Sequence, residues 1–319
     1  MSEQAIPQPE FGETICTLFD GDFHFGLAAM VNSLKRGGYK GTIWAGCRGA
    51  LPPWLPQLKR RAVEGHEYMV EDAIRLVIVP LETDLHLALY KPEFMIRLLE
   101  NEALGCKYIW FFDSDIFLRG AWSFFQRWQR FGIAVCQDVN YRTLPEFDPL
   151  RWEWMEIGTS MGLGKPRPLN FYFNSGLAGV PAEHIDFLYL WKSLIDEAGK
   201  LGMDLKKLAS GTRDMPFHIP DQDAMNVAAM YTPHPVSNSG PEVMGFHPGR
   251  TNLYHAVGPK PWRGSLLLRA LQGEPPSNSG KFFFTQVSGP IFPYTPSQLR
   301  GKRLACSIAA FIGRFYGRR

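Results

Sequence analysis

A chain of 319 residues, 45% hydrophobic and 20% charged, has the composition of a globular protein with a sizeable core and room for one large domain or two small ones. Its net charge of +3 is too small to argue for a nucleic-acid partner, and five cysteines (Cys16, Cys47, Cys106, Cys136, Cys306) without a C-x-x-C pair argue against a disulfide framework or a zinc site. Residues 1–10 lack the basic-then-apolar pattern of a secretory signal, and no apolar run approaches the ~20 residues of a membrane span, so a cytoplasmic protein is expected.

Residues 15–19 read as an apolar strand. Residues 26–35 have helical spacing through Leu27, Met30, Val31 and Leu34, closed by Gly37 and Gly38. Residues 42–45 form a short strand, residues 55–63 a helix after a proline-rich turn, and residues 74–79 a buried strand. Residues 93–103 read as a helix opened by Pro92, and residues 108–112 as a strand apolar on both faces. Residues 138–169, rich in proline and glycine, form a long excursion. A strand over 170–180 and helices over 182–197 and 221–230 follow. Strands separated by helices imply an α/β protein with a parallel sheet covered on both sides, and ligands in such sheets bind at the carboxyl ends of strands. That directs attention to the residues after Phe19 and after Phe112.

Asp113-Ser114-Asp115 follows the strand over 108–112 directly. Residues i and i+2 of an extended segment point the same way, so both carboxylates can face one hard cation that bridges to a diphosphate. Two other such triplets, Asp20-Gly21-Asp22 and Asp221-Gln222-Asp223, occur in the chain. What distinguishes Asp113 and Asp115 is position: an acidic pair ending a wholly apolar strand is costly unless a cation neutralises it.

Further segments repeat an order known from one enzyme family. These are Thr17-Leu18-Phe19-Asp20-Gly21-Asp22-Phe23 with Gly26 and Asn32-Ser33-Leu34; Arg97, sixteen positions before Asp113; Phe173-Asn174-Ser175-Gly176-Leu177; Asp221-Gln222-Asp223 with Asn226; and His255-Ala256-Val257-Gly258-Pro259-Lys260-Pro261-Trp262. In this order the chain resembles glycosyltransferase family 8. The resemblance implies a GT-A-type nucleotide-sugar-binding fold, a mixed, mostly parallel sheet flanked by helices, over residues 11–275, with a basic, aromatic extension over 276–319. It implies that Thr17, Asp20 and Asp22 hold the base and ribose, and that Arg97 reaches the nucleotide. Asn174 contacts the donor sugar, Asp221 holds its hydroxyls and Gln222 sits near the anomeric carbon. His255 completes the metal set of Asp113 and Asp115, Lys260 pairs with a phosphate, and Ser114 and Gly258 lie with the nucleotide-binding residues. A histidine nitrogen beside two carboxylates suits Mn²⁺ better than Mg²⁺. The H-x-x-G-x-K-P-W segment is one residue shorter between Gly258 and Lys260 than the family's.

The expected activity is transfer of a sugar from a nucleotide sugar, a UDP-sugar, to a hydroxyl on a glycan or lipid-linked acceptor, with retention of configuration. A nucleotidyltransferase and a non-catalytic sugar-binding protein of the same fold stand as alternatives. The acidic first turn counts against the former and the apparently complete metal set against the latter. Trp152-Glu153-Trp154 fits either an acceptor-side role or packing of the excursion onto the core. At the C-terminus Leu304, Ile308, Phe311 and Phe315 share one helix face, flanked by Arg300, Lys302, Arg303, Arg314, Arg318 and Arg319. That pattern fits a peripheral helix on an anionic membrane surface, on the inner face of the membrane, or a helix docked on the protein itself.

Overall fold

The computed structural model describes residues 12–61, 65–139, 143–210, 212 and 215–315. In chain order the strands are β1 (Glu13–Asp20), β2 (Gly41–Arg48), β3 (Lys59–Arg60), β4 (Glu67–Val70), β5 (Ile74–Pro80), β6 (Tyr108–Phe112), β7 (Ile116–Leu118), β8 (Ile133–Gln137), β9 (Phe173–Pro181), β10 (Val236–Ser239) and β11 (Leu253–His255). The helices are α1 (His24–Arg36), α2 (Lys91–Arg97), α3 (Ser123–Trp128), α4 (Pro149–Ser160), α5 (Ile185–Lys200), α6 (Pro220–Tyr231), α7 (Leu266–Leu271), α8 (Asn278–Gln286) and α9 (Pro296–Ile312).

The described residues form one mixed sheet in the order β10-β8-β9-β6-β1-β2-β5-β4-β3, and a ribbon of β7 and β11. Through the centre β6, β1, β2 and β5 run parallel, while β9 runs antiparallel between β6 and β8. Side chains of β6 alternate between two cores. Ile109 and Phe111 pack with α5 and α6, and Trp110 and Phe112 with α1 and α3. Both faces are covered, which is why the strand is apolar throughout. A third cluster joins Phe117 and Trp262 to Phe283, Phe284, Leu299 and Cys306. The segment after residue 275 therefore packs onto the body. Buried Asn32 fastens it: its Nδ2 donates to the Gln286 and Ile291 carbonyls at 2.8 Å each.

Two expectations are corrected. No helix spans the described part of residues 55–63: Leu55–Gln57 make one 3₁₀ turn, and Lys59–Arg60 pair with β4. The turn stops at Leu58, whose backbone is extended (φ −98°, ψ 149°) and leads into β3. Residues 62–64 lie outside the described residues. The helix expected over 93–103 begins earlier, and its α-helical part ends at Arg97 in a π turn, Leu98–Glu102. The excursion over 138–169 holds α4, whose entry is capped by Asp148 and rigidified by Pro149.

The topology aligns the chain ends that matter. The carboxyl ends of β1, β6 and β8 and the amino end of β9 lie on one edge of the sheet.

Candidate active site

A cavity of about 490 Å³ opens at that edge. Asp113 and Asp115 leave the end of β6, and His255 is the last residue of β11, paired with Ile116 across the ribbon. One ligand atom from each lies within 4.8 Å of the others, the one such metal-competent set among the described residues. His255 Nε2 is 3.3 Å from Asp115 Oδ1 and 3.7 Å from Asp113 Oδ2. Two ligands at about 2.1 Å and at right angles on one cation are about 3 Å apart, so the spacing fits a single hard divalent ion. Space at this point depends on Gly176, where a Cβ would stand 2.6 Å from His255 Cε1 and 2.7 Å from Asp113 Oδ2.

Beside this trio lies a polar network from three other elements. The pairing of β8 with β9 is broken at Val135/Cys136: Val135 faces Ala178 but Cys136 faces Asn174, so Ser175–Leu177 bulge out of the ladder. The bulge presents Asn174 and Ser175 to the cavity. Buried Asn226 on α6 locks the amino end of β9, accepting from the Phe173 N–H at 2.8 Å and donating to the Phe173 carbonyl at 2.9 Å. Asp138, just past β8, accepts from Asn174 Nδ2 at 3.1 Å and from Gln222 Nε2 at 3.0 Å. Gln222 Oε1 takes the Ser175 N–H at 3.1 Å, and Ser175 Oγ donates to Asp221 Oδ2 at 2.6 Å. Asp221 Oδ1 is buried without a hydrogen-bond partner among the described residues. An orphaned carboxylate oxygen in a cavity wall is a ready acceptor for a ligand hydroxyl.

Two lysines balance the carboxylates. Lys91, 3% exposed, lies 3.1 Å from both Asp113 Oδ1 and Asp221 Oδ2 and donates to the Ser175 carbonyl. Burial alone would depress its ammonium, but Asp113 and Asp221 outweigh it and hold the group above its ordinary value. Lys260 Nζ sits 2.5 Å from Asp115 Oδ2.

Of the residues singled out in the sequence, Asp20, Asp113, Ser114, Asp115, Asn174, Asp221, Gln222, His255, Gly258 and Lys260 line this cavity. Asp20 also binds Arg48, Nη2 to Oδ2, at 2.7 Å. Thr17, Asp22 and Arg97 are not among the lining residues. Thr17 is fully buried within β1. Asp22 pairs with Arg263, whose hydrogen bonds hold its carboxyl below the usual range. Arg97 turns away to Glu102 at 2.7 Å, and Lys91 on the first turn of α2 is the cation of that helix facing the cavity. Asp138 and Lys91 were not found from sequence. Asp138 follows β8, a strand the sequence reading passed over, and Lys91 stands before Pro92, outside the periodic segment.

No protein-family model matches the chain, and no curated protein does. Among solved structures, the fold matches the apo WbbM bifunctional glycosyltransferase (TM-score 0.52, 13% identity), covering 92% of this chain and 52% of that one. It also matches the galactosyltransferase LgtC, in complex with donor and acceptor sugar analogues (TM-score 0.50, 14% identity), covering 91% of this chain and 99% of that one. The chain thus spans about half the length of the first. The mixed α/β sheet described above is the glycosyltransferase GT-A fold.

Proposed function

We propose that the protein is a divalent-metal-dependent glycosyltransferase of the family 8 kind, taking a UDP-sugar as donor and a hydroxyl on a glycan or lipid-linked molecule as acceptor. The observation that carries this reading is the union, in one cavity, of Asp113, Asp115 and His255 with a second polar wall of Asn174, Asp221 and Gln222. Asp113, Asp115 and His255 hold the metal. Mn²⁺ there would supply positive charge for the leaving diphosphate. Lys260, 2.5 Å from Asp115, adds a cation on the same side, next to the phosphates. Asp20 and Ser114 line the nucleotide end. Asn174, Asp221 and Gln222 hold the donor sugar, with the free Asp221 Oδ1 accepting from a sugar hydroxyl. Asp138 orients this wall by fixing the amides of Asn174 and Gln222. An amide so held turns a chosen face to the sugar, at no cost in ordering when the donor arrives. Gln222 lies at the reacting carbon, and the anomeric configuration is retained.

The reading extends to the C-terminal helix. Leu299, Cys306 and Ala309 dock α9 on the body, whereas Leu304, Ile308, Phe311 and Phe315 are 63%, 42%, 56% and 75% exposed. Leu268 and Leu271 of α7, which packs against α9, are also exposed. Arg300 and Arg314 flank the stripe, while Arg303 donates to the Phe284 carbonyl and Ser288 Oγ and Lys302 lies over the Tyr294 ring; Arg318 and Arg319 lie outside the described residues. This apolar face with basic ends supports docking on an anionic membrane surface that carries the acceptor. Among the described residues no helix is long and apolar enough to cross a membrane.

The deciding experiment is hydrolysis of a panel of nucleotide sugars with and without Mn²⁺. Metal-dependent release of UDP from one donor is expected. Absence of turnover across the panel, or turnover indifferent to a chelator, would defeat the reading.

A further inference from the structure

A second cleft, of about 420 Å³, opens at the far edge of the sheet. Its floor is Ser237, Asn238 and Ser239 of β10, the edge strand, with the buried Trp128 donating from Nε1 to Ser237 Oγ at 3.0 Å and Gln137 donating to Asn238 Oδ1, and the exposed ring on its wall is Phe131. Phe131 is 63% exposed, so its ring face is open to a ligand in the cleft. Arg127 and Arg250 line the cleft beside Arg130, and none of its lining residues is a carboxylate. Among the described residues Arg127 and Arg250 have no carboxylate partner, and Arg250 lies over the Phe124 ring at 5.3 Å.

Guanidinium forks suit carboxylate and phosphate oxygens, exposed aromatic faces suit sugar rings, and short hydroxyls and an amide suit hydroxyl arrays. Together these point to an anion carried on a ring-bearing polymer rather than to a free ion, for which the aromatic wall would serve no purpose. Ser239 pairs with Cys136, two residues before Asp138, so the floor of the cleft points towards the edge that carries the catalytic cavity. β10 stands three strands from β6, a separation on the order of 15 Å, a few sugar units.

We propose that this cleft binds an anionic, carboxylate- or phosphate-bearing segment of a carbohydrate, as a second site remote from the donor cavity. The carbohydrate class of the ligand rests on the glycosyltransferase reading; the anion site itself rests on Arg127 and Arg250.

The test is calorimetry on the full chain with four probes: a galacturonate hexamer, maltohexaose phosphorylated at O6, unmodified maltohexaose and a dT12 oligonucleotide. Binding of at least one charged saccharide is expected, weakened at least tenfold in Arg127→Ala/Arg250→Ala and by added salt, with the neutral hexamer at least tenfold weaker. Which charged probe binds distinguishes carboxylate from phosphate. Equal binding of neutral and charged hexamers, an unchanged double variant, no saccharide binding, or binding of the oligonucleotide alone would overturn the proposal. UDP binding with Mn²⁺ is measured in the same samples. Its retention in the variant shows that the fold survives, and its absence from the unaltered chain would count against the catalytic reading while leaving the cleft result standing.

Discussion

Asp115 is pulled in opposite directions by burial and by its neighbours. Burial would raise its carboxyl, but the His255 imidazole and the Lys260 ammonium prevail and hold it well below the usual carboxylate range. The charged form is thereby favoured, as a metal ligand would require. Asp115→Asn should abolish Mn²⁺-dependent UDP binding in calorimetry while the folded spectrum persists; metal-independent binding at unaltered affinity would remove Asp115 from the metal set. Asp223 behaves in the opposite way. Burial pushes its carboxyl up to about 7, with Asp221 and Asp138 adding to the effect against the hydrogen bonds from Tyr172 and Ile219. A raised folded-state value means that its stabilising, protonated form is fully present below about pH 4, the ordinary carboxyl range, and is lost as pH rises through 7. Urea unfolding of the native chain should lose up to about 4 kcal/mol from this group between pH 4 and 8. The stability of Asp223→Asn relative to the native chain should rise steadily over the same interval, and a difference constant with pH would refute the assignment. Most residues that a motif singled out line the cavity, Thr17 and Asp22 excepted. Arg97 shows the limit: distance along the sequence from Asp113 pointed to it, but α2 turns its last turn to Glu102 and its first turn, with Lys91, to the cavity.

Between β9 and α6 the site depends on one buried amide. Asn226 takes up both the N–H and the carbonyl of Phe173 and also donates to the Gln222 carbonyl at 2.9 Å. Asn226→Ala would orphan the Phe173 groups, each costing about 1–3 kcal/mol when buried. A loss of roughly 2–4 kcal/mol in urea unfolding is expected, with turnover reduced further than UDP affinity because the tie between the backbone of Phe173, next to Asn174, and that of Gln222 is lost. A loss below about 1 kcal/mol would mean that water replaces the amide. Elements with a clear period were legible: β1, α1, β5, β6 and α6 stand within a few residues of where the apolar pattern put them. Others carried no such signal. The buried positions of α4 are Arg151, Trp154 and Gly158, helical in spacing but not apolar in composition. Arg151 is buried because its guanidinium satisfies the Leu144 and Phe171 carbonyls. The two tryptophans of that helix part company. Trp154 is fully buried with Nε1 on the Pro216 carbonyl at 2.6 Å, as the packing alternative required, while Trp152 is 54% exposed.

Over the whole molecule, the exposed stripe on α9 and the one-sided charge after Glu274 make a surface that should respond to lipid and salt together. Full-length protein should co-sediment with anionic liposomes at low salt and be released at high salt, and Leu304→Glu/Phe311→Glu should stay in the supernatant. Because both residues are exposed, the double variant should unfold at the same temperature as the native chain. Equal pelleting of the two proteins would sink the membrane reading. The ribbon of β7 and β11 has a wider consequence. Its register places His255 opposite Ile116, the residue after Asp115, although the two candidate ligands are 140 positions apart in the sequence. A cation gripping both ends would act as a clasp on nearly half the polypeptide, and the penalty for opening that long loop would be shared by every element within it. Occupancy and global unfolding would then be one equilibrium. At a hundredfold excess over its dissociation constant, Mn²⁺ should add about 2.7 kcal/mol against unfolding, seen as a rise in Tm that Asp115→Asn lacks. Divalent-ion supply would thereby set not only how fast the protein works but how long it lasts.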